Sequence, residues 1–212
     1  MKFFTLILFL VASLWAKDDY TVRLAYGKAT YSTFGQSLVG DWESPPMESD
    51  VIALDGGYLL KSGLFDWPWD IYAKVGFSKF HDGSTSLKDD DGETIYYHSQ
   101  DVYEGTLFIK AYWNFDFLQN RIRLSMAEGL SYTDKLLNME KYEADDKDLK
   151  HSKFLNYLDF SLDFDFGRLI GYKPVYDTYI GWAIKHRSGI FGLINGVRGG
   201  SNYNCIYVEK KF

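Results

Sequence analysis

The chain is poor in cysteine and proline, with only Cys205 and four prolines in 212 residues. A single thiol excludes an intramolecular disulfide framework and any cysteine-rich metal site, so the fold closes without covalent staples. Basic residues are in the minority: 23 Lys and Arg stand against 29 Asp and Glu, a formal net charge of −6. The acids gather in "KDDDGE" and "EADDKDLK", which read as solvated loops. An acidic chain without a basic stripe argues against nucleic acid as a partner. No linker rich in Gly, Ser or Pro divides the sequence, so one domain is expected over 17–212. No cluster of residues with metal-ligand spacing and no phosphate-binding Gly loop is present in the sequence, and neither metal nor cofactor is expected.

Long apolar runs are missing too, apart from the one at the start. "MKFFTLILFLVASLWAKDD" carries Lys2, an apolar run from Phe3 to Trp15, and Ala16 before a charged stretch. This pattern predicts a secretory signal peptide over 1–16. The run is shorter than the roughly 20 residues of a spanning helix. Losing Lys2 with it moves the formal charge from −6 to −7. After residue 16 no segment is apolar enough to cross a membrane as a helix.

What the sequence has in quantity is aromatic residues, 18% of the chain with 17 tyrosines, and strict alternation. In "FLNYLDFSLDFDF", Phe154, Leu158, Phe160, Leu162, Phe164 and Phe166 share one face, while Tyr157, Asp159, Ser161, Asp163 and Asp165 share the other. Period two over such a length predicts a strand, and one longer than the 5 or 6 residues usual in soluble proteins. A tilted strand needs about 9–11 residues to cross a bilayer. The pattern recurs in "GTLFIKAYWNFDF", where only Phe108 is apolar on the polar face. It recurs again in "RIRLSMAEGLSY", which Glu128 breaks, and in "WDIYAKVGFSK". Weaker candidates start at Tyr20, Val51 and Val175, and another ends at Phe212, giving eight strands. On the polar face, Lys110, Arg121 and Arg123 are expected to neutralise Asp159, Asp163 and Asp165 inside a narrow barrel.

Connection lengths alternate long and short: 33–50, 62–68, 80–101, 118–120, 133–152, 167–173, then a moderate one near 189–200. Outer-membrane barrels have short periplasmic turns and longer extracellular loops. The expected fold is therefore all-β, an eight-stranded antiparallel transmembrane β-barrel of outer-membrane type. Its terminal Phe212, after Val208 and Ile206 on the same face, resembles the assembly signal of such barrels. A soluble barrel of lipocalin type is the alternative, since alternation alone leaves open which face is out.

The chemistry-bearing residues lie near the end of the seventh strand, in "AIKHRSGIFG". His186 and Ser188 continue the apolar face of Ile180, Trp182 and Ile184, so both point towards lipid, at the extracellular rim. A serine hydroxyl beside a neutral imidazole is the minimum for nucleophilic acyl transfer. Asn202 shares parity with Ile206 and Val208 and is the candidate to hold the imidazole. Asn195 and the glycines of "GIFGLINGVRGG", Gly189 and Gly192 among them, are candidate oxyanion donors. A two-residue Asn195-Gly196 turn pairs Ser188 with Tyr203; placing Asn202 beside His186 requires a longer loop. Arg187 is expected to be a luminal charge partner. His81, His98 and His151 read as solvated loop residues.

The stretch "HRSGIFGLINGVRGGSNYNCIYVEKKF" resembles the C-terminal signature of the PagL-type lipid A 3-O-deacylases. The resemblance implies an eight-stranded outer-membrane barrel that hydrolyses the ester-linked acyl chain at the 3 position of lipid A. On it, His186 is the base, Ser188 the nucleophile, Gly200-Ser201-Asn202 the element of the third triad member, and Asn195 the oxyanion residue. Asn202 stands where the family has glutamate; an Asn also orients the histidine of Cys-His-Asn sites. The partner implied is lipopolysaccharide in the outer leaflet, with homodimerisation left open. Two other readings stay open: a non-catalytic barrel serving adhesion or membrane stability, and an outer-membrane phospholipid esterase.

Overall fold

The computed structural model describes residues 19–88 and 92–212; the signal peptide expected over 1–16 lies outside them. Eight strands close an antiparallel barrel: β1 (Tyr20–Thr30), β2 (Ser49–Ser62), β3 (Trp69–Asp82), β6 (Gln100–Phe117), β7 (Asn120–Thr133), β8 (Phe154–Asp165), β9 (Thr178–Ser188) and β10 (Gly200–Lys211). A small hairpin, β4 (Thr85–Lys88) with β5 (Thr94–Tyr97), projects from the connection between β3 and β6. One end of the barrel carries the long connections 31–48, 83–99, 134–153 and 189–199. The other carries 63–68, 118–119 and 166–177 together with the strand ends nearest Tyr20 and Lys211.

The burial of the two alternating rows decides which face is out. Leu107, Ile109, Leu124, Met126, Leu162 and Ile206 are exposed, while Lys110, Tyr112, Arg123, Asp159 and Asp163 are buried. An apolar belt outside and charge inside is the pattern of a membrane barrel and the reverse of a lipocalin. The interior is filled by an ion-pair lattice. Arg23 bridges Asp55 (2.7 Å) and Asp159 (2.9 Å), Lys74 reaches Asp55 (2.7 Å), and Arg123 meets Asp163 (2.7 Å). The Tyr112 hydroxyl donates to Glu209 (2.9 Å) and the Tyr207 hydroxyl to Asp163 (2.6 Å). Charges so placed are tolerated because each has a partner of opposite sign and further hydrogen bonds.

Of the three expected internal cations, Lys110 and Arg123 take their places against Asp159 and Asp163. Arg121 does not: it pairs with Asp116 across the tight turn at 118–119, because the barrel end leaves it partly in water. Asp165 instead accepts from the Arg168 amide and caps the short helix α3 (Phe166–Leu169), numbered after α1 (Phe34–Leu38) and α2 (Asn138–Asp146). The apolar exception Phe108 also has a physical reason. Register aligns Phe108, Gly129 and Tyr157 across three strands, and the Phe108 and Tyr157 rings meet at 4.6 Å over the glycine. A Cβ on Gly129 would lie 2.4 Å from the Phe108 side chain.

The end with the long connections is capped. α2 lies across the mouth, its Asn138 amide donating to Asp82 (2.7 Å), and its Glu140 accepting from Arg187 (2.8 Å) and the Ser201 hydroxyl (2.8 Å). Arg187 is fully buried, as its inward parity requires. His81 lies on β3 rather than in a loop, its Nδ1 2.9 Å from Asp101.

Candidate active site

His186 and Ser188 end β9 on its outward row. Register pairs His186 with Leu158 of β8 and Asn202 of β10, and pairs Ser188 with Asn156 and Gly200. The β9–β10 connection is the long one, 189–199, not a two-residue turn at Asn195-Gly196. Two glycines pinch its base. A Cβ on Gly189 would meet the Val197 carbonyl oxygen at 2.1 Å, and one on Gly200 the Arg187 carbonyl oxygen at 1.9 Å. That close approach sets the register which puts Asn202 beside His186.

The side chains then fix one another. The Asn202 amide nitrogen donates to the Ser32 carbonyl (2.8 Å), so its Oδ1 is turned to the ring, 2.7 Å from His186 Nδ1. An amide oxygen cannot donate, so Nδ1 carries the proton and donates to Asn202. The neutral ring therefore has its lone pair on Nε2, the tautomer of a general base. Ser32 is held in turn: its hydroxyl accepts from the Glu43 amide (2.7 Å) and from Thr30 Oγ1 (3.1 Å). After it the chain turns into α1 through a capping box between Thr33 and Gln36. This lays Phe34 against the imidazole, ring centroids 5.2 Å apart.

His186, Ser188 and Asn202 line one cleft of ≈ 550 Å³, with Asn156, Phe34 and Phe191 among its walls. That volume falls in the range of clefts that hold a small organic ligand. The Ser188 hydroxyl makes no hydrogen bond among the described residues, and none to His186. Side chains two apart on a strand stand about 6.5–7 Å apart, and catalytic contacts often tighten only with substrate bound.

The three residues expected as oxyanion donors do not line the cleft. The Asn195 amide turns away to Ser152 Oγ (2.9 Å). The Gly189 amide donates to the Gly199 carbonyl (3.4 Å) and the Gly192 amide to the Gly189 carbonyl (3.2 Å), so both are consumed in shaping the loop. Sequence reasoning missed Asn156 instead. It sits directly across from Ser188, only 7% exposed, and its side chain has no partner among the described residues. The signal was a lone amide on the row of Phe154, Leu158, Phe160 and Leu162. Glu128, the other break in alternation, also reaches the cleft, level with Leu158 and His186. Among the described residues no group of His, Cys, Asp and Glu is arranged to hold a metal ion.

No family model matches this chain, and no curated protein does. Among solved structures, the NanC porin in a rhombohedral crystal form is similar at 11% identity over 91% of this chain and 100% of that one, with a TM-score of 0.29. The fold therefore rests on the strand register itself: a closed, eight-stranded antiparallel barrel of outer-membrane type.

Proposed function

We propose that this barrel is a serine esterase of the bacterial outer membrane that removes the ester-linked acyl chain at the 3 position of lipid A, with the cleft at the extracellular rim. The observation that carries the reading is the His186 Nδ1 to Asn202 Oδ1 hydrogen bond, locked by Ser32 and placed with Ser188 on the lipid-facing side of the wall. A polar base and nucleophile on that face meet a lipid ester and little else. The choice of lipid A comes from the resemblance of residues 186–212 to the PagL-type deacylases.

In the proposed reaction His186 Nε2 takes the Ser188 hydroxyl proton as Oγ attacks the ester carbonyl carbon. The oxygen of the tetrahedral intermediate accepts from the Asn156 amide, which stands across from Ser188 and has no side-chain partner among the described residues. Collapse breaks the bond to the sugar oxygen, which leaves with the proton from Nε2. Water, deprotonated by the same nitrogen, then attacks the acyl-enzyme, releases the fatty acid and restores Ser188. The imidazole acts as a base only when neutral, so activity falls as acid protonates it. Mass spectrometry of lipid A from cells carrying the wild-type or Ser188→Ala barrel is the test. Loss of one acyl chain with the wild type alone supports the assignment, and identical spectra reject it.

A further inference from the structure

The β9–β10 connection is a built structure with an unusual surface. Its turns are stitched by Gly192 N to Gly189 O (3.2 Å), Leu193 N to Ile190 O (3.1 Å) and Val197 N to Ile194 O (3.0 Å). The Asn195 amide ties it to Ser152. Yet it holds Phe191 94% and Leu193 82% exposed. Ile190 and Phe191 both take left-handed backbone, φ 48° and 53°, a conformation that costs bulky residues energy. The backbone carries that cost with Phe191 turned outward.

Three observations say what covers these side chains. First, the loop is tied to the head of β8, its Asn195 amide donating to the Phe154 carbonyl (3.4 Å), beside the exposed outward pair Tyr132 and Phe154. Second, a further connection lining the same cleft, 31–48, also exposes an apolar side chain, Val39 at 81%. Third, Arg198, at the base of the loop and on the cleft wall, is exposed and has no acidic partner among the described residues. Apolar tips above a free guanidinium match a lipid monolayer, with acyl chains around the tips and an anionic headgroup at the cation.

We propose that the 189–199 loop is a membrane-inserting finger: Phe191 and Leu193 enter the acyl region of the leaflet beside the cleft, and Arg198 meets an anionic lipid headgroup. Lipid then reaches Ser188 sideways, within the leaflet, between this finger and the 31–48 connection. The inference goes beyond the esterase reading, since insertion does not depend on hydrolysis.

The test reads depth without activity. Phe191→Cys and Leu193→Cys, each in a Cys205→Ala background, carry a nitroxide label in full-length barrels folded into vesicles of phosphatidylcholine with phosphatidylglycerol. Lys150→Cys, on the neighbouring 134–153 connection, is the aqueous control. Folding of each variant is checked by its heat-dependent gel mobility. The expected result is that oxygen relaxes the labels at 191 and 193 more than a water-soluble nickel complex does, with the opposite order at 150. Labels at 191 and 193 behaving like that at 150 overturn the proposal, whatever the Ser188→Ala spectra show. As a second measure, Leu193→Ser, at a position outside the cleft lining, should hydrolyse a bilayer-embedded ester about tenfold more slowly, given the apolar area it gives up. Its rate on a short-chain ester in detergent should stay unchanged. Equal loss on both esters refutes the finger and leaves the catalytic assignment standing.

Discussion

Two stretches of the same lipid-facing wall, at the same height, are built to opposite rules. Across β6 and β7 the outward positions are Leu107, Ile109, Met126 and Leu130, as hydrocarbon demands, with Glu128, which reaches the cleft, the exception among them. Across β9, β10 and β1 they are Ser188, His186, Asn202, Asn204, Lys28 and Thr30. Polar groups facing lipid are costly, and the second stretch does not hide them by pairing inward. It shields them with the 31–48 connection and spends Asn202 and Ser32 on orienting one imidazole. A wall that breaks its own rule in one sector, and there orients an imidazole through two successive hydrogen bonds, is what the proposed esterase accounts for.

The largest way to break that comparison is Ser188→Ala. It should reduce ester hydrolysis by at least about 10³-fold, as loss of a triad nucleophile does. It should also leave the urea midpoint of barrel unfolding equal to or above that of the wild type, because a polar group is removed from a lipid-facing position. A large drop in stability would mean that the polar sector is structural. The next effect belongs to Asn156. Asn156→Ala should lower kcat by about 10²–10³-fold with KM nearly unchanged, the size expected for one oxyanion donor. The same alanine at Leu130, level with it on β7, should leave kcat alone.

Strand parity made the barrel legible from the sequence, because in a long run such as 154–166 the alternate positions Phe154, Leu158, Phe160, Leu162 and Phe164 share one face and Asp159, Asp163 and Asp165 the other. It also fixed the direction of His186 and Ser188, which inherit the parity of Trp182 and Ile184. Register across the last hairpin was harder to read. Asn195-Gly196 has the composition of a tight turn, but Asn195 is drawn to Ser152 and the chain pinches at Gly189 and Gly200 instead. Without that register Asn156 could not be matched to Ser188, and a single amide on β8 carried no weight. Nor could any local pattern foretell that Ser32, more than 150 residues before Asn202, would set the orientation of its amide.

The smallest expected effect sharpens the comparison most. Asn202 holds His186 with a neutral oxygen, where the deacylase signature it resembles has a carboxylate. Asn202→Asp keeps the shape and an oxygen acceptor for Nδ1–H, but it loses the donor to Ser32 and adds a negative charge beside the ring. A neighbouring negative charge favours imidazolium, so the base is lost at higher pH than in the wild type. The acid limb of kcat/KM should therefore move up by about one pH unit, while activity on the alkaline side changes little. Asn202→Ala gives no such shift and loses activity at every pH, because the ring is no longer held in the Nδ1–H tautomer. If Asn202→Asp and Asn202→Ala gave the same pH profile as the wild type, the 2.7 Å contact would be a bond of the loop edge, and the polar sector would have to be explained without His186 as its base.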